Sequence, residues 1–72
     1  MNKNFALVFE QVQKRKQELE SAMLKVNDQI VKADMSGDHA LRDALLAARA
    51  STATALKEVQ AIFDHMAYLI TP

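Results

Sequence analysis

The stretch that decides the fold is ADMSGDHA, residues 33–40, because it is the one turn-like cluster in the sequence. It contains Gly37, the single glycine of the chain. Glycine readily takes the left-handed backbone conformation that ends a helix. Asp38 then stands where its carboxylate can accept backbone N–H groups as the N-cap of a second helix, and Ser36 is the rival cap. The stretch therefore predicts a helix on each side of a tight turn.

The two flanking segments are rich in Ala, Leu, Lys, Glu, Gln and Met, the residues with high helix propensity. Together with the turn they predict one domain over residues 1–72, with helices over about 3–34 and 38–70 and a turn at 35–38. The single proline is the last residue, so none interrupts either helix.

Apolar residues recur in both segments at alternating intervals of four and three, which is the 3.5-residue period of a left-handed, nearly antiparallel helix pair. The row on the first helix is Phe5, Phe9, Val12, Lys16, Leu19, Met23, Val26, Ile30 and Ala33. The row on the second helix, called the heptad row below, is Leu41, Leu45, Ala48, Thr52, Ala55, Val59, Ile62, Met66 and Leu69. We therefore predict an all-α fold, an antiparallel two-helix hairpin that is completed by a partner or by dimerisation.

A further apolar row on the second helix is displaced by about 100° from the heptad row. This second row is Leu46, Ala53, Leu56, Phe63, Ala67 and Ile70. One antiparallel partner covers one stripe of a helix, so the second row is predicted to bind another polypeptide, either a second copy in a four-helix bundle or a different helical protein. The small side chains of AARASTATA, residues 47–55, offer a smooth strip on which a partner helix can rest.

The length and composition exclude several classes of protein. A chain of 72 residues builds a marginal core, and the absence of cysteine removes disulfides as a stabiliser. Neither His39 nor His65 has a second metal-ligating residue at the spacing that metal sites use. One glycine cannot build a phosphate-binding loop. No metal, cofactor or catalytic residue is therefore expected, and the chain is not expected to be an enzyme.

The charges balance at nine basic and nine acidic residues, so no net field draws the chain to nucleic acid or an anionic membrane. The basic run Lys14–Lys16 is surrounded by glutamates and reads as a solvated face. Lys16 lies within the apolar row of the first helix, where we expect it to snorkel beside Glu20 or Glu58. The apolar run at residues 5–9 is too short for a membrane span, and a cytoplasmic protein is expected.

Three segments resemble a known family: QELESAMLKVNDQI at residues 17–30, SGD at 36–38 and ALKEVQAIFDHMAYL at 55–69. They are similar to the small helical-hairpin co-chaperone of type III secretion needle subunits. The resemblance implies a bacterial cytoplasmic protein that pairs with a helical-repeat chaperone and keeps a needle subunit soluble before export. The alternative is a homodimeric four-helix-bundle regulatory protein, with nucleic-acid binding through Lys14 and Arg15 as a further option.

Overall fold

The computed structural model of the chain describes residues 3–70 and confirms the all-α hairpin. Helix α1 spans Lys3–Ser36 and helix α2 spans His39–Ile70, and the two pack against each other along their length. The described part of the molecule is a rod of about 53 × 17 × 14 Å. Helix α1 runs two residues beyond its predicted end at residue 34, which shortens the turn to Gly37 and Asp38.

The end of α1 depends on the left-handed backbone of Gly37, whose φ is +76°. This conformation lets the Asp38 N–H donate to the Ala33 carbonyl at 3.0 Å and the Gly37 N–H donate to the Asp34 carbonyl at 3.2 Å. These two bonds form a Schellman motif, which satisfies carbonyls that would otherwise lack an intrahelical partner. The predicted role of the single glycine is therefore confirmed.

The start of α2 is capped by Asp38, whose carboxylate accepts the Leu41 N–H at 3.1 Å. The rival, Ser36, lies at the end of α1, and its hydroxyl donates to the Ala33 carbonyl at 3.0 Å. Asp38 is thus the N-cap, and an acidic side chain at this position also suits the positive end of the helix dipole.

The predicted row of α1 faces α2 along the whole hairpin. Each of its nine residues is buried or half-buried, and Leu19, Val26 and Ala33 are the most enclosed. Across the interface, Met66 of α2 is buried to a similar degree. The prediction for α1 is confirmed, and the described core is a thin line of side chains between two helices.

The prediction for α2 is half right. Of the heptad row, Leu45, Thr52, Ala55, Val59 and Met66 are buried or half-buried, but Leu41, Ala48, Ile62 and Leu69 are exposed. One position further along the chain, Arg42 and Phe63 are half-buried in place of Leu41 and Ile62, and Leu56 is half-buried beside Ala55. Helix α2 is rotated relative to the predicted orientation because this rotation encloses the larger side chains. The inner seam of α2 is therefore Leu45, Thr52, Leu56, Val59, Phe63 and Met66.

Candidate protein-binding surface

The second row is predicted to face away from α1. At Phe63, its one aromatic residue, this prediction is wrong, because the side chain packs against α1. The ring of Phe63 stacks on Phe9 of α1, with ring centroids 5.3 Å apart and planes 22° from parallel. Phe9 in turn lies 6.4 Å from Phe5, nearly parallel to it. Stacked aromatic pairs contribute beyond the area they bury, so Phe63 belongs to the interior of the hairpin.

Lys16 completes this aromatic cluster. Its ammonium lies 5.2 Å from the centroid of Phe63 and 3.1 Å from a carboxylate oxygen of Glu20, and its side chain is 22% exposed. The cation is attracted to the face of the ring while the stem packs within the interface. The predicted snorkelling of Lys16 is confirmed, with Glu20 as the counter-charge.

The remaining members of the second row divide between the interface and solvent. Leu46, Leu56 and Ala67 are half-buried by the hairpin itself, whereas Ala53 and Ile70 are exposed. The stripe is thus largely covered within the chain, although its binding to a partner stays a prediction.

A different stripe of α2 is uncovered. It is rotated by about 100° from the inner seam, and its residues again alternate at intervals of three and four. This outer seam is Leu41, Ala44, Ala48, Ser51, Ala55, Glu58, Ile62, His65 and Leu69. Ala55 is half-buried and the other eight residues are exposed. The spacing is that of a second helix-packing surface.

The outer seam is apolar and almost free of charge. Leu41 is 48% exposed, Ile62 51% and Leu69 58%. Glu58 is the one carboxylate among the nine residues, and none is Lys or Arg. Isolated exposed apolar side chains are common on soluble proteins, whereas here six of nine residues in one row are apolar, with Ser51, Glu58 and His65 between them.

The outer surface of α1 has the opposite character. Acidic and basic side chains pair along it, with Lys32 2.9 Å from Asp28 and Arg15 3.5 Å from Glu18. Five large apolar side chains are also exposed on α1, namely Leu7, Val8, Leu24, Val31 and Met35, so it is the density of charge that sets this surface apart. Such a surface is well solvated, so the two helices of the hairpin present different exteriors.

Thr54, which lies beside the outer seam, has its hydroxyl satisfied within its own helix. The hydroxyl donates to the Ala50 carbonyl at 3.1 Å, as that of the inward-facing Thr52 does to the Ala48 carbonyl at 2.9 Å. With its hydroxyl bonded in this way, Thr54 presents a methyl group and a short side chain. A second helix can therefore approach the middle of α2 closely.

Polar contacts between the helices lie nearer the turn. The guanidinium of Arg42 donates to Asp34 at 3.0 Å, and Arg49 donates to the amide oxygen of Asn27 at 3.4 Å. The hydrogen bond to Asp34 raises the pKa of Arg42 above its ordinary value. These contacts tie α2 to α1 on a side that does not include the outer seam.

Within residues 3–70, no cluster of three or more His, Asp or Glu side chains is placed to hold a metal ion. Neither described helix combines the length and hydropathy of a membrane span. A shallow groove near the turn is lined by Gln29, Lys32, Ala33, Ser36, Leu41 and Leu45. It opens beside the first residue of the outer seam.

The sequence does not predict the outer seam as an exposed surface, because its large residues Leu41, Ile62 and Leu69 also fit the heptad row that is predicted to face α1. The signal was nevertheless present in the sequence: the row beside it, Ala40, Ala47, Thr54, Ala61 and Tyr68, is also uncharged. A helix surface so poor in charge is unusual for one facing solvent. Comparison of the chain with models of protein families, with curated proteins and with solved structures gave no significant match.

Proposed function

We propose that the chain is a non-enzymatic protein-binding module whose outer seam packs against a helix of another protein. The observation that carries the proposal is the contrast between the densely charged outer surface of α1 and the outer seam of α2, in which Glu58 is the one carboxylate and no Lys or Arg occurs. Fully burying a Leu or Ile stabilises by about 1.5–3 kcal/mol. Leu41, Ile62 and Leu69 are each about half exposed, so much of this free energy is still available to a binding partner.

We further propose the particular role that the sequence resemblance implies, a cytoplasmic co-chaperone of a type III secretion apparatus. In that role the hairpin pairs with a helical-repeat chaperone, and the pair covers the apolar face of a needle subunit until export. A long, smooth, apolar helix supports the role because helical-repeat proteins bind helices in extended concave surfaces. The outer seam supplies such a surface without opening the hairpin.

The test is co-expression of the chain with the needle subunit and helical-repeat chaperone of its own organism, followed by purification through a tag on the chaperone. We expect the hairpin to co-purify in a stoichiometric complex. Ile62→Lys should abolish the complex, because it places an ammonium in the middle of the apolar contact.

Leu24→Lys is the matched control, since Leu24 is 73% exposed on the charged surface of α1. This variant should co-purify like the wild type. A hairpin that does not co-purify with either protein would refute the co-chaperone role. Equal retention of the two lysine variants would instead refute the outer seam as the binding surface.

A further inference from the structure

We infer that the turn at Gly37 and Asp38 is a conformational device that decides how the helices of different copies assemble. While the turn is intact, α1 packs against α2 of its own chain. Once the turn opens into continuous helix, α1 of one copy binds α2 of another, and the geometry makes this exchange open-ended and not a closed dimer. The inference goes beyond the proposed function, because it concerns the inner seam and not the outer seam.

The break between the two helices is short. Gly37 and Asp38 alone lie between α1 and α2, and Gly37 is the one residue of the described range 3–70 with a positive φ. On the α2 side the Arg42 N–H already donates to the Asp38 carbonyl at 3.0 Å, which is a helical bond. A right-handed helical backbone at these two residues would therefore join α1 and α2 into a single helix.

The contacts that hold the hairpin can also form between two copies. The packing of Phe63 on Phe9, with ring centroids 5.3 Å apart, requires an antiparallel α1 and α2 but no covalent link between them. The contact of the Lys16 ammonium with the Phe63 ring has the same requirement. Opened copies that exchange α2 would keep these contacts, as in domain swapping, where identical elements change places between chains.

The facing of the two seams decides the form of the exchange. If α1 continued as a helix past Ala33, its row would fall on positions 37, 40, 44, 47, 51, 54, 58, 61, 65 and 68. The inner seam follows these positions by one residue at Leu45, Thr52, Val59 and Met66, and by two residues at Leu56 and Phe63. Each residue turns a helix by about 100°, so the two seams face roughly opposite sides of a continuous helix.

This facing excludes a closed pair. In a closed exchanged dimer one partner contacts α1 and α2 of the same chain at once, which requires both seams on one side of the helix. Here a copy that packs on α1 leaves α2 of that chain facing away, so α2 binds a third copy. The series keeps an unpaired α1 at one end and an unpaired α2 at the other, and contacts of this head-to-tail kind continue to add copies.

The native turn prevents this assembly by favouring closure. Segments joined by a short connection meet at an effective concentration of the order of 1 mM, so closure prevails in more dilute solution. Gly37→Ala combined with Asp38→Ala opposes closure, because a residue with a Cβ resists the left-handed backbone and alanine does not cap α2. Alanine also favours the continuous helix. Exchange should therefore begin at an about 30-fold lower concentration, near roughly 30 µM.

Sedimentation velocity of the full chain gives the first test. The chains are heated and slowly cooled at about 200 µM, between the two onset concentrations, so that closed and exchanged states equilibrate. Every chain carries Ile62→Lys, at an exposed position outside the inner seam, so that the outer seam does not contribute. With the native turn we expect one small species. Gly37→Ala with Asp38→Ala should form species larger than dimers, whose mean size increases with concentration while helical circular dichroism is retained.

A two-residue insertion tests the facing directly. Two alanines placed between Asp38 and His39 of the doubly substituted chain move every inner-seam residue two positions further, onto the continued row of α1. Both seams then lie on one side of the continuous helix. This chain should form a closed dimer whose mass does not change with concentration.

Three results would overturn the inference. A closed dimer of the doubly substituted chain without the insertion would show that its seams do not face opposite sides. Concentration-dependent growth of the chain with the insertion would show that facing does not control closure. A doubly substituted chain that sediments like the chain with the native turn, or that loses its helicity, would show that opened helices do not exchange. Co-purification with the secretion proteins depends on the outer seam, so its failure leaves these outcomes unchanged.

Discussion

The two ends of the hairpin are held together by different means. At the turn end the chain itself joins the helices, the Gly37 and Asp38 backbone groups close the Schellman motif, and the enclosed residue is small, Ala33. At the open end nothing covalent joins the helices, and large side chains pack there instead, with Phe63 stacked on Phe9. The comparison shows that side-chain size in this chain increases where backbone connection is absent.

The largest expected effect is the loss of the aromatic stack. Phe63→Ala should destabilise the hairpin by about 2–3 kcal/mol, below the range for a fully buried Phe because Phe63 is half-buried. Urea unfolding followed by circular dichroism in dilute solution measures the change. The neighbouring Ile62→Ala is the control, since Ile62 faces outward. Equal losses for the two variants would contradict the assigned rotation of α2.

A smaller effect is expected at the turn end from Gly37→Ala. The added methyl group meets no atom within 4 Å, so the cost comes from the left-handed backbone alone. That cost is about 1–2 kcal/mol for a residue with a Cβ. The same unfolding measurement applies, with Gly37→Asn as a milder variant because Asn tolerates this conformation. A loss greater than that of Phe63→Ala would reverse the comparison of the two ends.

The next effect is that of the cap. Asp38→Ala removes the acceptor of the Leu41 N–H, and such losses cost about 1 kcal/mol. Ser36→Ala is the matched control, because the Ser36 hydroxyl bonds within α1 and does not cap α2. The control should unfold at nearly the wild-type urea concentration. A larger effect from Ser36→Ala would mean that the start of α2 is held differently from the contacts described.

The smallest effect is expected from the ion pair at the turn end. Arg42→Ala removes the contact with Asp34, but exposed ion pairs contribute little because solvent and salt screen them. We expect an unfolding midpoint close to that of the wild type and little dependence on added salt. A strong salt dependence of the wild type that Arg42→Ala abolishes would show that electrostatics, rather than the backbone motif, holds this end.

The turn and the facing of α1 were predictable because each rests on a local signal. Gly37 followed by Asp38 encodes a stop and a start, and the apolar row of α1 has no competitor on its own helix, where Leu24 and Val31 are isolated. Local chemistry of this kind acts without tertiary context. The sequence therefore sufficed for the architecture and for half of the interface.

The facing of α2 was not predictable from the sequence because two apolar rows lie one residue apart on it. Ile62 and Phe63 both fit a 3.5-residue repeat, and a rotation of about 100° exchanges them. The choice is made by the partner side chains on α1, where Phe9 offers a ring for stacking. Because α2 turns Phe63 and not Ile62 toward α1, the exposed candidate binding surface is the outer seam and not the second row.

Tyr68 has a practical consequence. It is the single tyrosine of a chain without tryptophan, it is 76% exposed, and it adjoins Leu69 at the open end of α2. Ultraviolet-excited tyrosine emission therefore originates from one known position. Anything that covers that end of the helix will change the quenching of this emission, so the unlabelled molecule contains its own optical reporter of association.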